Sequence, residues 1–228
     1  MSRLTAIVAV LLTFILSLSG STVLYAQEAD NTFGGWEHIE LAHSFKDSKW
    51  YGSIYFEHEN YQYQRLDQCF ISAGLGYEFT SWLKAGAAYD FLIEPAGIGH
   101  RAVAYVTGTL KEGNLSLSLR ERYQHKWSIV TSTRGNELRS RLKAQYTISG
   151  SRFKPYVAVE VYSWEKWQKT KHSVGSTITL NDHFELETYY MYYLFANKPA
   201  EHVLGNAHWQ TQCRLCALSA GSLLWCAR

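Results

Sequence analysis

The sequence predicts an all-β chain, an antiparallel transmembrane up-and-down β-barrel of about ten to twelve strands. Three observations predict it: apolar and polar residues alternate with period two, turn signals recur at a hairpin interval, and aromatic residues gather near strand ends. The alternation is plainest in Leu115–Gln124, where Leu115, Leu117, Leu119 and Tyr123 share one parity and Ser116, Ser118, Arg120, Arg122 and Gln124 the other. Its neighbour sets Leu138, Leu142, Ala144 and Tyr146 against Glu137, Arg139, Arg141, Lys143 and Gln145. Only an extended chain separates these residues onto two faces.

Taken in order, Trp36–Phe45 is the first predicted strand, with imperfect alternation, and Lys46–Lys49 turns the chain into a second, Trp50–Tyr63. Gln68–Phe79 and Trp82–Ile93 alternate more cleanly, and the glycines on their polar faces leave room for long side chains reaching across an enclosed interior. His100–Leu110 is ambiguous in facing, because Val103 and Tyr105 compete with Ala104, Val106 and Leu110. After Lys111–Asn114 comes the strand beginning at Leu115, then a longer connection, Lys126–Asn136, and the strand beginning at Glu137. Phe153–Trp164 follows, with Pro155 near its start, where a missing ladder donor does least harm. His172–Leu180 and Phe184–Phe195 complete ten strands, and His202–Gly205 opens a further one.

Turns centred on Asp47, Ser81, Gly113, Gly150 and Asp182 are 34, 32, 37 and 32 residues apart, which is one hairpin with a tight turn at one end and a looser loop at the other. Strands of about 11 residues match the ~9–11 that a tilted strand needs to cross a bilayer, whereas a sandwich turns every ~8–12 residues. Aromatics account for 15% of residues. Trp50, Tyr77, Phe79, Trp82, Tyr146, Phe153 and Phe184 lie near the tight turns, and Tyr61, Tyr63, Tyr89, Phe91, Tyr123, Trp127, Tyr162, Trp164, Trp167 and Tyr192 near the opposite ends. These form two candidate interfacial girdles.

Residues 1–26 have the form of a secretory signal peptide: Arg3, an apolar run from Leu4 to Leu18, and Ala26 before the expected cut. Residues 27–35 are a polar leader, 36–205 the barrel domain, and 206–228 an atypical cysteine-containing tail of the kind an altered last strand would leave. The leader sequence and barrel together predict the outer membrane of a Gram-negative bacterium, with outer-membrane lipid as a partner and the barrel-assembly machinery as another during biogenesis. An N-terminus on the periplasmic side would put the tight turns outside, against the usual arrangement of short periplasmic turns. A net charge of +2 gives no field that would recruit nucleic acid.

Cys213-x-x-Cys216 has no second pair and only His208 nearby, which argues against structural zinc. In an oxidising envelope a Cys213–Cys216 or a Cys216–Cys226 disulfide fits better. No G-x-S-x-G, H-E-x-x-H or glycine-rich phosphate loop occurs, and no spacing links His58, His100, His125, His172 or His183 to a serine. No catalytic, cofactor or metal site is therefore assigned. The polar face does carry charge: Glu57, Glu59, Asp90, Arg120, Arg122, Arg139, Arg141, Lys143 and Glu160 are the predicted lumen network, joined by Glu185 and Glu187. Such residues either fill a narrow lumen with ion pairs or cradle a small solute, the arginines attracting an anion.

Trp36–Leu41, Gly74–Tyr77 before a Thr-Ser turn, His100-Arg101, Leu117–His125 and the late His202–Gly205 together resemble the Bacteroidetes outer-membrane β-barrel family catalogued as a domain of unknown function, over about residues 36–205. The resemblance implies a barrel fold and an outer-membrane location. It carries no catalytic residues, and it implies another alternating strand after Gly205. The expected function is a structural or small-solute barrel with a charged lumen. The alternatives are a membrane-embedded envelope- or lipid-modifying enzyme and a soluble periplasmic ligand-binding barrel.

Overall fold

The computed structural model describes residues 32–61, 65–128, 130–197 and 200–212. The signal-peptide segment, Tyr63, Cys213, Cys216 and Cys226 lie outside them. Among the described residues eleven strands form one closed barrel: β1 Thr32–Ser44, β2 Trp50–Tyr61, β3 Arg65–Glu78, β4 Leu83–Glu94, β5 Gly97–Glu112, β6 Leu115–Ser128, β7 Arg134–Tyr146, β8 Phe153–Trp164, β9 Lys166–Thr179, β10 Phe184–Phe195 and β11 Glu201–Gln212. Each pairs antiparallel with the next in sequence, and β1 closes on β11 in parallel, Gly35 opposite Leu204. That one parallel seam follows from parity: strands that reverse at every turn leave the first and the eleventh pointing the same way.

The barrel extends past the predicted limits, starting at Thr32 inside the expected leader and ending at Gln212, seven residues beyond Gly205. The strands run from 12 to 16 residues, longer than expected, because strand pairing continues through predicted loop residues. β6 keeps pairing to Ser128 and β7 begins at Arg134, so the predicted connection 126–136 shrinks to 129–133. β9 begins at Lys166 rather than His172. As a result the connections are short at both ends of the barrel, from the single Glu165 between β8 and β9 to residues 147–152 between β7 and β8. The predicted contrast between a tight end and a loose end is absent, and loop length assigns no orientation.

Local chemistry accounts for the turns. Asp47, Gly113 and Gly150 adopt φ of 54°, 55° and 74°, the left-handed region that glycine and aspartate tolerate best. Asn181 Oδ1 accepts from the backbone N–H of His183 at 2.8 Å and of Phe184 at 3.0 Å, a side-chain turn that stands in for ladder bonds.

The barrel wall is inverted relative to a water-soluble protein. Ile54, Ile71, Val157 and Val174 are 56%, 53%, 57% and 53% exposed on the outside, whereas Asp90 and Glu160 inside are 0% and 2% exposed. The ambiguous strand β5 is settled by its neighbours: Arg101, Val103, Tyr105 and Thr107 line the interior, and Ala102, Ala104, Val106 and Leu110 face out. Aromatic pairs mark both rims. Trp50–Tyr77 and Tyr77–Phe79 lie 5.0 Å apart at one, and Tyr123–Trp164 at 5.7 Å and Tyr89–Trp127 at 6.2 Å at the other. Tyr162 is a correction to the predicted girdle, because its ring is buried inside the barrel against Arg139 and Lys169.

Candidate functional site

Alternation along eleven strands gathers the polar parity of every strand around one cavity of about 760 Å³ in the barrel interior. Its shape depends on small residues packed beneath large ones. Tyr51 on β2 and Tyr105 on β5 lie over Gly76 and Gly86, and their hydroxyls meet at 3.0 Å. A Cβ at Gly76 would stand 2.2 Å from the Tyr51 ring, so the glycine is what allows this span.

Among the described residues the cavity lining holds eleven Lys/Arg and nine Asp/Glu, so any preference for one sign comes from placement rather than net charge. Ten of the cations sit on β5–β9, and seven of the carboxylates on β1–β3 and β10–β11. One wall is basic and the facing wall acidic.

The predicted network falls into separate groups. Asp90 on β4 accepts from Arg101 Nε at 2.5 Å and from Arg122 Nη2 at 3.4 Å, and Arg101 stacks 4.6 Å above Phe70. Glu160 on β8 takes Arg139 at 3.1 Å, Lys171 at 3.2 Å and the Tyr162 hydroxyl at 3.2 Å. Lys143 reaches Glu187 at 3.3 Å, and Lys154 reaches Glu185 at 2.7 Å. Glu57 accepts from the Tyr55 hydroxyl, and Glu59 lines the cavity beside it on β2. Arg122 therefore meets Asp90, while Glu57 and Glu160 are answered by other groups.

Arg120 and Arg141 stand apart. They are direct cross-strand partners on β6 and β7, as are Arg122 and Arg139 one step along, and all four line the cavity. Arg122 and Arg139 have carboxylates, but none of the described residues puts a carboxylate within 4.0 Å of Arg120 or Arg141. Like charges directly opposite one another destabilise a sheet. Glu160 lies opposite Arg141 in register but beyond 4.0 Å, and two neighbouring guanidiniums with no carboxylate in direct contact are an arrangement an oxyanion would relieve, since a planar fork matches a carboxylate or phosphate.

Several lining groups escape the sequence pattern. Arg101 sits on the strand of ambiguous facing, and Lys169 and Lys171 precede the predicted start of β9. Extending the alternation back from Ser173 through Lys171 and Lys169 would have found the latter two. His38 is a lumen histidine, stacked 5.3 Å from Tyr55 with its Nδ1 3.3 Å from the Tyr189 hydroxyl. His58, His100, His125 and His172 fall on the outer parity of their strands, and His183 lies in a turn. On β1, β10 and β11, Met191, Tyr193 and Val203 pack with Trp36, Tyr189 and Phe195, with Lys171 Nζ 4.7 Å from the Trp36 ring centre.

A solved structure of the NanC porin shares this architecture, with a TM-score of 0.50 and 12% identity over 74% of this chain and 89% of that one. At that identity the likeness is one of fold. No curated protein matches the chain. A family model does match, over residues 33–203, nearly the whole span of the described strands, and the chain accordingly belongs to the family described as protein of unknown function (DUF2490).

Proposed function

We propose that this chain is an outer-membrane β-barrel of a Gram-negative envelope, the Bacteroidetes kind of the resemblance included, whose charged lumen admits small solutes and favours anions. The observation that carries the membrane part is the inversion of the wall, large apolar side chains outside and buried carboxylates and guanidiniums inside. In water such an outer face would drive aggregation, while in lipid it is the expected surface. The strands also fit: 12 residues at ~3.3 Å, tilted ~40°, cover about 30 Å, more than the ~25 Å apolar band. The anion preference rests on Arg120 and Arg141, whose charge no carboxylate within 4.0 Å answers among the described residues. The enzyme alternative gains nothing from the strand histidines that face outward, and the hydrogen bond His38 makes at Nδ1 is to the Tyr189 hydroxyl rather than to a serine.

The test is conductance in a planar bilayer under a potassium chloride gradient. The expected result is stepwise conductance with a reversal potential displaced toward that of chloride. Replacing Arg120 and Arg141 together by alanine moves the reversal potential toward zero. Absence of conductance from folded protein would leave the barrel a filled structural one, and an unchanged reversal potential in the double variant would remove the role given to the arginine pair.

A further inference from the structure

Two pairs of like charges face each other across the lumen, each without a contacting ion of opposite sign. Arg120 and Arg141 have no carboxylate within 4.0 Å among the described residues, and Glu160, opposite Arg141 in register, is held by Arg139 and Lys171. Glu57 and Glu59 line the same cavity from β2 and have no Lys or Arg within 4.0 Å among the described residues. Glu57 receives the Tyr55 hydroxyl instead, and the two carboxyls lie close to each other.

Register sets the two pairs level. In the eleven-strand ring four strands separate β2 from β7 one way and five the other, so these two strands face each other. Followed through successive cross-strand partners by way of Glu160, the row of Arg141 arrives at Thr32, where β1 begins. Followed by way of Arg120, it arrives at Glu78, where β3 ends. Thr32 lies beyond the Tyr61 end of β2, and Glu78 beyond its Trp50 end. A tilted row climbs steadily around a barrel, so the level of Arg141 on the far wall falls midway along β2, at Tyr55 and Glu57. Eleven strands ~4.8 Å apart and tilted ~40° enclose a ring roughly 22 Å across. An arginine and a glutamate extended from opposite walls do not meet over that width, so the two pairs cannot neutralise each other directly.

We propose that the lumen binds a small zwitterion, its oxyanion on Arg120 and Arg141 and its ammonium on Glu57 and Glu59. Guanidiniums are charge-assisted donors to carboxylate or phosphate oxygens, and an ammonium brings three donors to neighbouring carboxylates. A simple anion answers the arginines and is repelled by the facing carboxylates, and a simple cation meets the reverse. Only a solute carrying both charges suits both walls, which is selection by repulsion as well as attraction. The inference deepens the small-solute reading and rests on it: the preference for anions becomes a preference for the anionic end of a dipolar solute.

The experiment uses the full chain in planar bilayers carrying potassium chloride current, with γ-aminobutyrate, butyrate and butylammonium as probes of similar length. γ-Aminobutyrate is expected to halve the current at a concentration about tenfold below that of either singly charged probe, the effect of one added charge-assisted contact. Glu57→Gln with Glu59→Gln raises that concentration to the value for butyrate and moves the reversal potential further toward that of chloride. Arg120→Ala with Arg141→Ala raises it to the value for butylammonium. Glu59→Gln alone keeps Glu57 and decides the matter if the double glutamine variant fails to insert. Chain that conducts with chloride preference, yet is blocked no better by γ-aminobutyrate than by butyrate, overturns the zwitterion site alone. So does a γ-aminobutyrate block that the glutamine variants leave unchanged. Chain that inserts and never conducts overturns the pore reading and this site with it.

Discussion

Replacing Glu160 by leucine is expected to cost about 3–5 kcal/mol of barrel stability, the usual penalty when one member of a buried ionic group is removed. Glu160 is 2% exposed and receives Arg139, Lys171 and the Tyr162 hydroxyl. Without it two cations remain on a wall that already carries Arg120 and Arg141, and Arg141 loses the carboxylate opposite it in register. Glu160→Gln should also be severely destabilising, because an amide keeps the shape and one acceptor but not the charge. Urea unfolding in detergent or lipid, followed by tryptophan fluorescence, measures the loss. A variant within about 0.5 kcal/mol of the parent, the ordinary range of a surface change, would mean that water enters the lumen freely enough to solvate the cations.

Adjacent residues on opposite faces give the second large effect. Val174 on β9 is 53% exposed outside, and Ser173 beside it lines the cavity. Val174 is the ninth of the fourteen residues of β9, and Val174→Arg at that mid-strand position is expected to lose about 2–4 kcal/mol. Ser173→Arg places the same charge among lumen groups and should change conductance far more than stability. Reversible unfolding into urea in the presence of lipid vesicles compares the two. Equal, small losses would mean that Val174 faces water.

Legibility followed how strictly each strand separates its faces. β6 and β7 could be placed from sequence because their leucines and arginines occupy opposite parities, and register adds that Arg120 meets Arg141 and Arg122 meets Arg139. Facing on β5 was undecidable in sequence because Val103 and Tyr105 are apolar residues on the lumen side, and Tyr105 fits there because Gly86 on β4 gives its ring room. That information lies on a different strand. Glu121 and Ser140 break the apolar parity of the clearest pair of strands, and only their being opposite each other makes the two exceptions one feature. Lys169 and Lys171 went unplaced because the charged run from Lys166 resembles a loop until it is paired with β8, where Lys171 lies opposite Glu160. The partners of Asp90 could not be read from spacing either, since Arg101 lies opposite it only through the β4–β5 register and Arg122 reaches it from β6 by side-chain length.

The apolar outside of this closed barrel is proposed to face lipid. Cell fractionation combined with electrophoresis of boiled and unboiled outer membranes tests it most directly. The chain is expected to sediment with the outer membrane, and the unboiled form, still a folded barrel in detergent, to migrate differently from the boiled one. Recovery of folded chain free in the periplasm would contradict it.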